Sequence, residues 1–152
     1  MSRPAGKASL RRKPHVLFMG PTNSARTQMA EAYGRDLLAD LVEVRSAGMA
    51  ASDLDPRTHK VLQTDGIDTN GLYAKLVDPK LLDWADLVIT LCADTHRLKL
   101  QEQESFVHKN WSMEDPARLA KGPEDLAPYL QARDDIKRRI RQFSNSIRLM
   151  QR

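Results

Sequence analysis

At 152 residues, 41% of them hydrophobic, the chain suits one domain with a real core. It shows no signal peptide and no apolar run long enough to span a membrane, which predicts a cytoplasmic protein, and a lone cysteine, Cys92, excludes an intramolecular disulfide and a cysteine-built zinc site. The net charge of +4 belongs to residues 1–13, which hold five basic residues and no acid; the remainder has 19 basic against 20 acidic residues, net −1, and so near-neutral a body argues against a dedicated nucleic-acid-binding domain.

The chain opens on a tail, residues 1–13, with Arg3, Lys7, Arg11, Arg12 and Lys13 among Ser, Ala, Gly and Pro. That composition is expected to stay disordered, as a solvated leader without a role; the alternative is a tail that touches nucleic acid or an acidic partner. Residues 14–152 read as a single domain. Val16–Met19 is a short apolar run, as expected for a strand covered on both faces. Residues 27–39 read as a helix with Met29, Ala30, Tyr33, Leu37 and Leu38 inward. Residues 41–45 alternate and predict a second strand, closed by Ser46-Ala47-Gly48. Asp55-Pro56 is an N-cap with proline at the first helical position, and the helix should run to Thr64 and stop at Asp65-Gly66.

Asp78-Pro79 opens another short helix through Asp83, and Leu87–Leu91 is the strongest strand in the chain. A helix is expected over 94–103, then a short strand at Phe106–His108 and a long loop over 109–125. The last segment places Leu126, Leu130, Ile136, Ile140, Phe143, Ile147 and Met150 on one face of a long amphipathic helix. This alternation predicts a three-layer α/β/α sandwich around a four-stranded parallel sheet. Ligands in such folds bind beyond the C-terminal ends of the strands, where both the 20–27 loop and Cys92 fall.

The 20–27 loop runs Gly20-Pro21-Thr22-Asn23-Ser24-Ala25-Arg26-Thr27 between a buried strand and a helix start. A loop entering a helix N-terminus collects free backbone N–H groups and the positive end of the helix dipole. Arg26 adds a planar guanidinium suited to a tetrahedral anion. The same stretch also matches a degenerate Walker loop, with Ala25 for glycine and Arg26 for lysine, which would cradle nucleotide phosphates. His15, His59, His96 and His108 form no metal-binding spacing. His59 is expected at the surface, and Trp84 and Trp111 are expected to pack rather than stack on a ligand.

Val16–Met19 followed by Thr22–Glu31 resembles the low-molecular-weight protein tyrosine phosphatases, and most of all their thioredoxin-coupled arsenate reductase branch. The likeness continues through Val44–Gly48, Gly66-Ile67-Asp68, Asp86–Cys92 and Trp111–Pro116, covering roughly residues 14–150. The resemblance implies a loop cysteine that attacks phosphorus or arsenic, loop amides and an arginine that hold the oxygens, and an aspartate before proline that protonates the leaving group. It implies no cofactor and no catalytic metal. Arg26 then falls at the anion clamp, Thr27 at the hydroxyl that steadies the thiolate, and Asp115 at the general acid, although Asp-Pro also suits a simple helix cap. Asn23 and Ser24 pin the loop. Cys92 falls on the second redox cysteine, against the plainer reading of a small buried residue, and the 93–99 stretch holds no third cysteine.

Gly20 stands where the attacking cysteine would be, Thr22 where the loop glycine would be, and Pro21 removes one N–H donor. The resemblance also implies a potassium site around Asn23, Glu31 and Ser46, with Lys75 at its aspartate, so that an ammonium replaces the ion. The expectation is a nucleophile-deficient protein that binds phosphate, arsenate or a phosphorylated side chain as a sensor or regulatory pseudoenzyme, with a phosphoprotein or a thiol partner such as thioredoxin. The alternative is an active reductase or phosphatase working through Cys92, through the hydroxyl of Thr22 or Ser24, or through an external thiol.

Overall fold

A computed structural model describes residues 12–93 and 106–150. The tail reading, apart from its last two residues, and the helix expected over 94–103 lie outside the described residues. Four strands, β1 (His15–Gly20), β2 (Glu43–Gly48), β3 (Leu87–Thr90) and β4 (Val107–Asn110), pair in parallel in the order β2-β1-β3-β4. Alternate residues of the central strands feed two cores. Val16, Phe18, Ile89 and Leu91 meet α1 (Arg26–Leu38), α2 (Pro56–Thr64) and α5 (Ala127–Met150) on one face. Leu17, Met19 and Val88 meet α3 (Pro79–Trp84) and Phe106 on the other. The result is the expected α/β/α layering, and it accounts for the continuous apolar runs in β1 and β3.

Proline and aspartate set the helix starts. Asp55 and Asp78 cap α2 and α3 by accepting from the N–H groups of Arg57 and Leu81, each ahead of a proline. Gly66, with φ +72°, ends the turn after α2 in a conformation that favours glycine.

Five local expectations change. Ser46-Ala47-Gly48 does not close β2 but forms its second half, paired opposite Phe18, Met19 and Gly20. Leu41 and Val42 instead donate their N–H groups to the Leu38 carbonyl and finish the turn of α1. The 109–125 loop begins as the end of β4 and contains a one-turn helix, α4 (Pro116–Leu119). On α5 the packed stripe is Tyr129, Ala132, Ile136, Ile140 and Ser144, whereas Leu130 and Met150 are exposed. That stripe includes a polar ring and small residues, which a count of large apolar side chains passes over.

His59 is half-buried rather than fully at the surface. Trp111 packs near Phe18 and Phe143, and Trp84 stacks on His15 at 4.3 Å.

The neighbours of β1 lead the chain to opposite sides, so the crevice above the C-terminal ends of β1 and β3 is a topological switch point. Leu91 N–H donates to the Met19 carbonyl there, bringing Gly20 and Cys92 to adjacent strand ends.

Candidate functional site

The loop between Gly20 and Arg26 is held by its carbonyls. Gly20 O accepts from Met49 N–H at 3.0 Å and Pro21 O from Ala50 N–H at 2.9 Å. Thr22 O accepts from Thr27 Oγ1 at 3.5 Å, and Asn23 O from Gln28 Nε2 at 3.0 Å. Ser24 O takes both Asp55 N–H at 3.1 Å and Thr58 Oγ1 at 3.0 Å. A trans peptide points its N–H opposite to its C=O. The arrangement therefore turns the N–H groups of Thr22, Ser24 and Ala25 away from the groups that hold the carbonyls. Among the described residues none accepts a hydrogen bond from those N–H groups or from those of Arg26 and Thr27. Ala25, at the N-cap of α1, supplies no side-chain cap. Two loop positions depart from this pattern: Pro21 has no N–H, and Asn23 N–H donates to Ser52 Oγ at 3.3 Å.

Beneath the loop runs a buried polar chain. Asn23 Nδ2 donates to Thr27 Oγ1 at 2.8 Å and to Ser46 Oγ at 3.0 Å, while Asn23 Oδ1 accepts from Gln28 Nε2 at 2.6 Å and Lys75 N–H at 2.9 Å. All four hydrogen-bonding positions of the fully buried Asn23 amide are used. Ser46 Oγ donates to Glu31 Oε1 at 2.7 Å. Glu31, also fully buried, is flanked by Lys75 Nζ at 3.2 Å and Arg35 Nη2 at 2.6 Å. Lys75 Nζ further donates to Tyr73 O at 2.9 Å.

Support also comes from α2 and α5. Asp55, whose own N–H holds Ser24 O, accepts from Arg57 Nη2 and from Tyr129 Oη. Burial pushes the Asp55 carboxyl up, but the bonds from Arg57 and Tyr129 outweigh it and hold the group below the usual carboxylate range. Burial, followed by the bond to Asp55, pushes the Tyr129 hydroxyl up.

Above the loop lies a cavity of about 290 Å³ lined by Pro21, Thr22, Arg26, Cys92, Ala93, Glu114, Asp115 and Arg118. Arg26 is 9% exposed and donates from Nη1 to the Met113 carbonyl at 2.8 Å, which ties the loop to the segment carrying Asp115. Cys92 is 3% exposed, so it is both buried and on the cavity wall. Asp115 likewise lines the cavity and caps α4, with Oδ1 accepting from Ala117 N–H at 3.0 Å. Asn23, Ser24, Ala25 and Thr27 shape the loop without lining the cavity.

Gly20 lies beneath, where a β-carbon would meet Thr27 Cγ2 at 3.2 Å and Thr22 O at 3.3 Å. Thr27 thus turns its methyl toward Gly20 and commits its hydroxyl to Asn23. Among the described residues no group of three or more His, Cys, Asp or Glu side chains is arranged to hold a metal ion, and no helix is long and apolar enough to cross a membrane.

Sequence reasoning passed over Ala93, Glu114 and Arg118 in the cavity, and Gly48 beneath the loop. Asp115 and Arg118 stand three residues apart, the spacing of one helical face, which would have signalled a second basic residue here. Gly48 packs directly on the loop backbone, with room for no side chain.

The family described as low molecular weight phosphotyrosine protein phosphatase matches residues 15–151. An arsenate reductase of Bacillus licheniformis is 35% identical over 136 residues, covering 88% of this chain and 97% of its own. Among solved structures, an arsenate reductase in the phosphate binding state aligns with a TM-score of 0.73 and 25% identity, over 88% of this chain and 98% of that one. A thioredoxin-dependent arsenate reductase of Corynebacterium glutamicum aligns with a TM-score of 0.74 and 26% identity, over 96% of this chain and 67% of that one. The sheet order, the strand-end loop and the match over nearly the whole length agree: the chain belongs to the low molecular weight phosphotyrosine protein phosphatase family and has arsenate reductases among its relatives.

Proposed function

We propose that this protein is a nucleophile-deficient member of its family that holds a tetrahedral oxyanion without efficient turnover, as a sensor or regulatory partner. The ligand is phosphate, arsenate or a phosphorylated side chain, bound by the Pro21–Thr27 loop with Arg26 as the clamp and Asp115 at the general-acid position. The observation that carries this reading is Gly20, which opens the loop with no side chain to attack from. The nearest hydroxyls do not replace it. Thr22 Oγ1 and Ser24 Oγ bond each other at 3.0 Å. Among the described residues, no histidine lines the cavity to take their proton.

Lys75 completes the proposal. Its ammonium serves as a tethered cation beside Asn23, Glu31 and Ser46, in place of a mobile potassium ion. Glu31 then carries its negative charge at no cost in ion binding, and the loop keeps its shape at any potassium concentration.

Calorimetric titration with phosphate and arsenate tests the reading, alongside hydrolysis of an aryl phosphate. Millimolar or tighter binding is expected. Turnover above roughly 10⁻⁴ of an ordinary family member would contradict it, since losing a covalent nucleophile can cost about 10⁶.

A second reading rests on Cys92, which lies in the same cavity as Arg26. Arsenate would take two electrons from two thiols, Cys92 and one from an external partner such as thioredoxin, giving arsenite, water and a mixed disulfide. Arsenite release that requires an added dithiol and disappears in Cys92→Ser is the result that would favour it.

A further inference from the structure

We infer that the outer edge of β2 takes an extended, acidic segment of a partner protein as a fifth strand, seated between α1 and Trp84 and held by Arg45 and Lys80.

The strand order leaves β2 at the end of the sheet. In a parallel pair, successive residues turn their N–H and C=O groups to opposite sides. Glu43 and Met49 donate inward, to the carbonyls of Pro14 and Gly20, so Val44, Ser46 and Gly48 face outward. The chain itself covers only the last of these. Gly48 N–H donates to the Lys75 carbonyl, and the Gly48 carbonyl accepts from Val77 N–H. The pairing stops there because Lys75 N–H, next in line, goes to Asn23 Oδ1 at 2.9 Å. Among the described residues no strand lies outside Val44, whose outward N–H and C=O form a template for main-chain pairing.

A cavity of about 300 Å³ straddles this edge. Arg35 and Ala39 form the α1 wall, Trp84 the opposite wall, and residues 42–45 the floor. A second cavity of about 380 Å³ shares Arg45 and adds Lys80 and the exposed side chains of Tyr73 and Leu76.

Shape selects the occupant. α1 passes directly over Val44, since a β-carbon on Gly34 would meet both Val44 methyls at 3.1 Å. A second folded copy, paired through its own β2, would bring its α1 toward this one at the strand spacing of about 5 Å, where packed helices need about 8–10 Å. A lone extended segment carries no such layer.

Charge selects its composition. Four cations and two carboxylates, Glu43 and Asp78, line the two cavities. Arg35 and Lys75 face the buried Glu31. Glu43 lies 3.2 Å from His15 Nε2, and Asp78 accepts the Leu81 N–H at 2.7 Å. Arg45 lies 4.3 Å over the Trp84 ring. Among the described residues neither Arg45 nor Lys80 meets a carboxylate. Acidic side chains at alternate positions of the incoming strand share one face and supply those carboxylates. Residues 1–11 of this chain hold Arg3, Lys7 and Arg11 and no acid, so their charge is of the wrong sign for the groove.

The test is NMR titration of the full chain with two probe peptides, acetyl-Glu-Val-Glu-Val-Glu-Val-amide and its counterpart with Lys in place of Glu. The acidic peptide should bind and slow hydrogen exchange at Val44 N–H by about tenfold or more at saturation. Val44→Pro removes that outward N–H without touching the bonds to β1, and should abolish binding. Arg45→Glu and Lys80→Glu change exposed side chains and should each weaken the peptide by about tenfold while leaving phosphate binding unchanged. Failure of the acidic peptide to bind, equal binding of the basic one, or binding without protection of Val44 N–H overturns the inference. Protection of Val44 N–H that grows with concentration of the chain alone would give the edge to a second copy and overturn it as well.

Discussion

Gly48 and Thr22 touch through bare backbone: a β-carbon on Gly48 would lie 2.5 Å from the Thr22 carbonyl carbon and 2.6 Å from the Asn23 nitrogen. The last residue of β2 is therefore a floor for the loop. Gly48→Ala must push that backbone away. A loss of about 1–3 kcal/mol in stability is expected from the overpacking, together with weaker phosphate binding. Urea unfolding and phosphate titration of the same variant measure both effects. Wild-type values in the two assays would mean that the floor yields freely.

Arg26→Ala removes the one buried cation of the cavity. Truncating one member of a buried, hydrogen-bonded charge pair costs about 2–5 kcal/mol, so phosphate affinity should fall beyond calorimetric detection. Unchanged affinity would place the anion elsewhere on the molecule.

Gly20→Cys tests how much of the catalytic apparatus survives. The new β-carbon would sit 3.2 Å from Thr27 Cγ2 and 3.3 Å from Thr22 O, a tight fit that a shift of tenths of an ångström relieves. Thr27 presents a methyl there, so the thiolate must draw its stabilisation from the loop N–H groups and Arg26. Hydrolysis of a saturating aryl phosphate should rise by about 10³ or more over the parent, on the scale at which nucleophile loss is felt. Inertness of the variant would show that Pro21 and Thr22 have reshaped the loop.

Lys75→Met removes one of the two cations beside the buried Glu31 carboxylate. A destabilisation of about 1–3 kcal/mol is expected, because the buried carboxylate then keeps Arg35 as its cation and loses the one beside Oε1. Added potassium should recover part of the melting temperature in the variant and change nothing in the parent. An equal response of both proteins to potassium would sink the tethered-cation proposal.

Acid should loosen the loop through Asp55. Its folded carboxyl titrates below its unfolded counterpart, held there by Arg57 and Tyr129 against the effect of burial. The stability it contributes is present above the unfolded aspartate pKa of about 3.9 and is lost as pH falls through the lower folded value. Asp55→Asn should flatten that acid limb in urea unfolding curves taken between pH 3 and 7. A parallel pH slope in the variant is the contrary result.

The elements easiest to read were those declared by local chemistry. The apolar runs of β1 and β3 have no other explanation than strands covered twice. The Asp-Pro pairs at 55–56 and 78–79 carry both a cap and a fixed φ. What stayed hidden depended on residues far apart in the chain. Nothing local marks Ser46-Ala47-Gly48 as strand rather than turn, because its small residues are required by the loop that crosses them. Nothing local marks Tyr129 as a buried member of α5, because its hydroxyl is satisfied by Asp55, 74 residues away. Arg118 and Glu114 read as ordinary surface charges, and only the cavity they share with Arg26 marks them otherwise. The loop itself was legible as a turn from a buried strand into a helix N-terminus. Its rigid outer fastening was not, since the donors come from the two residues after β2, from α1 and from the start of α2 together.

That fastening has a kinetic consequence. With the carbonyls of Gly20 through Ser24 already engaged, the cradle is complete before any guest arrives, and little conformational freedom remains to be lost on association. Capture should therefore run in a single, fast phase with a rate that grows linearly with anion concentration, and departure should be quick. Under the proposed function, such a receptor would follow a fluctuating pool of its guest in real time instead of storing a memory of it.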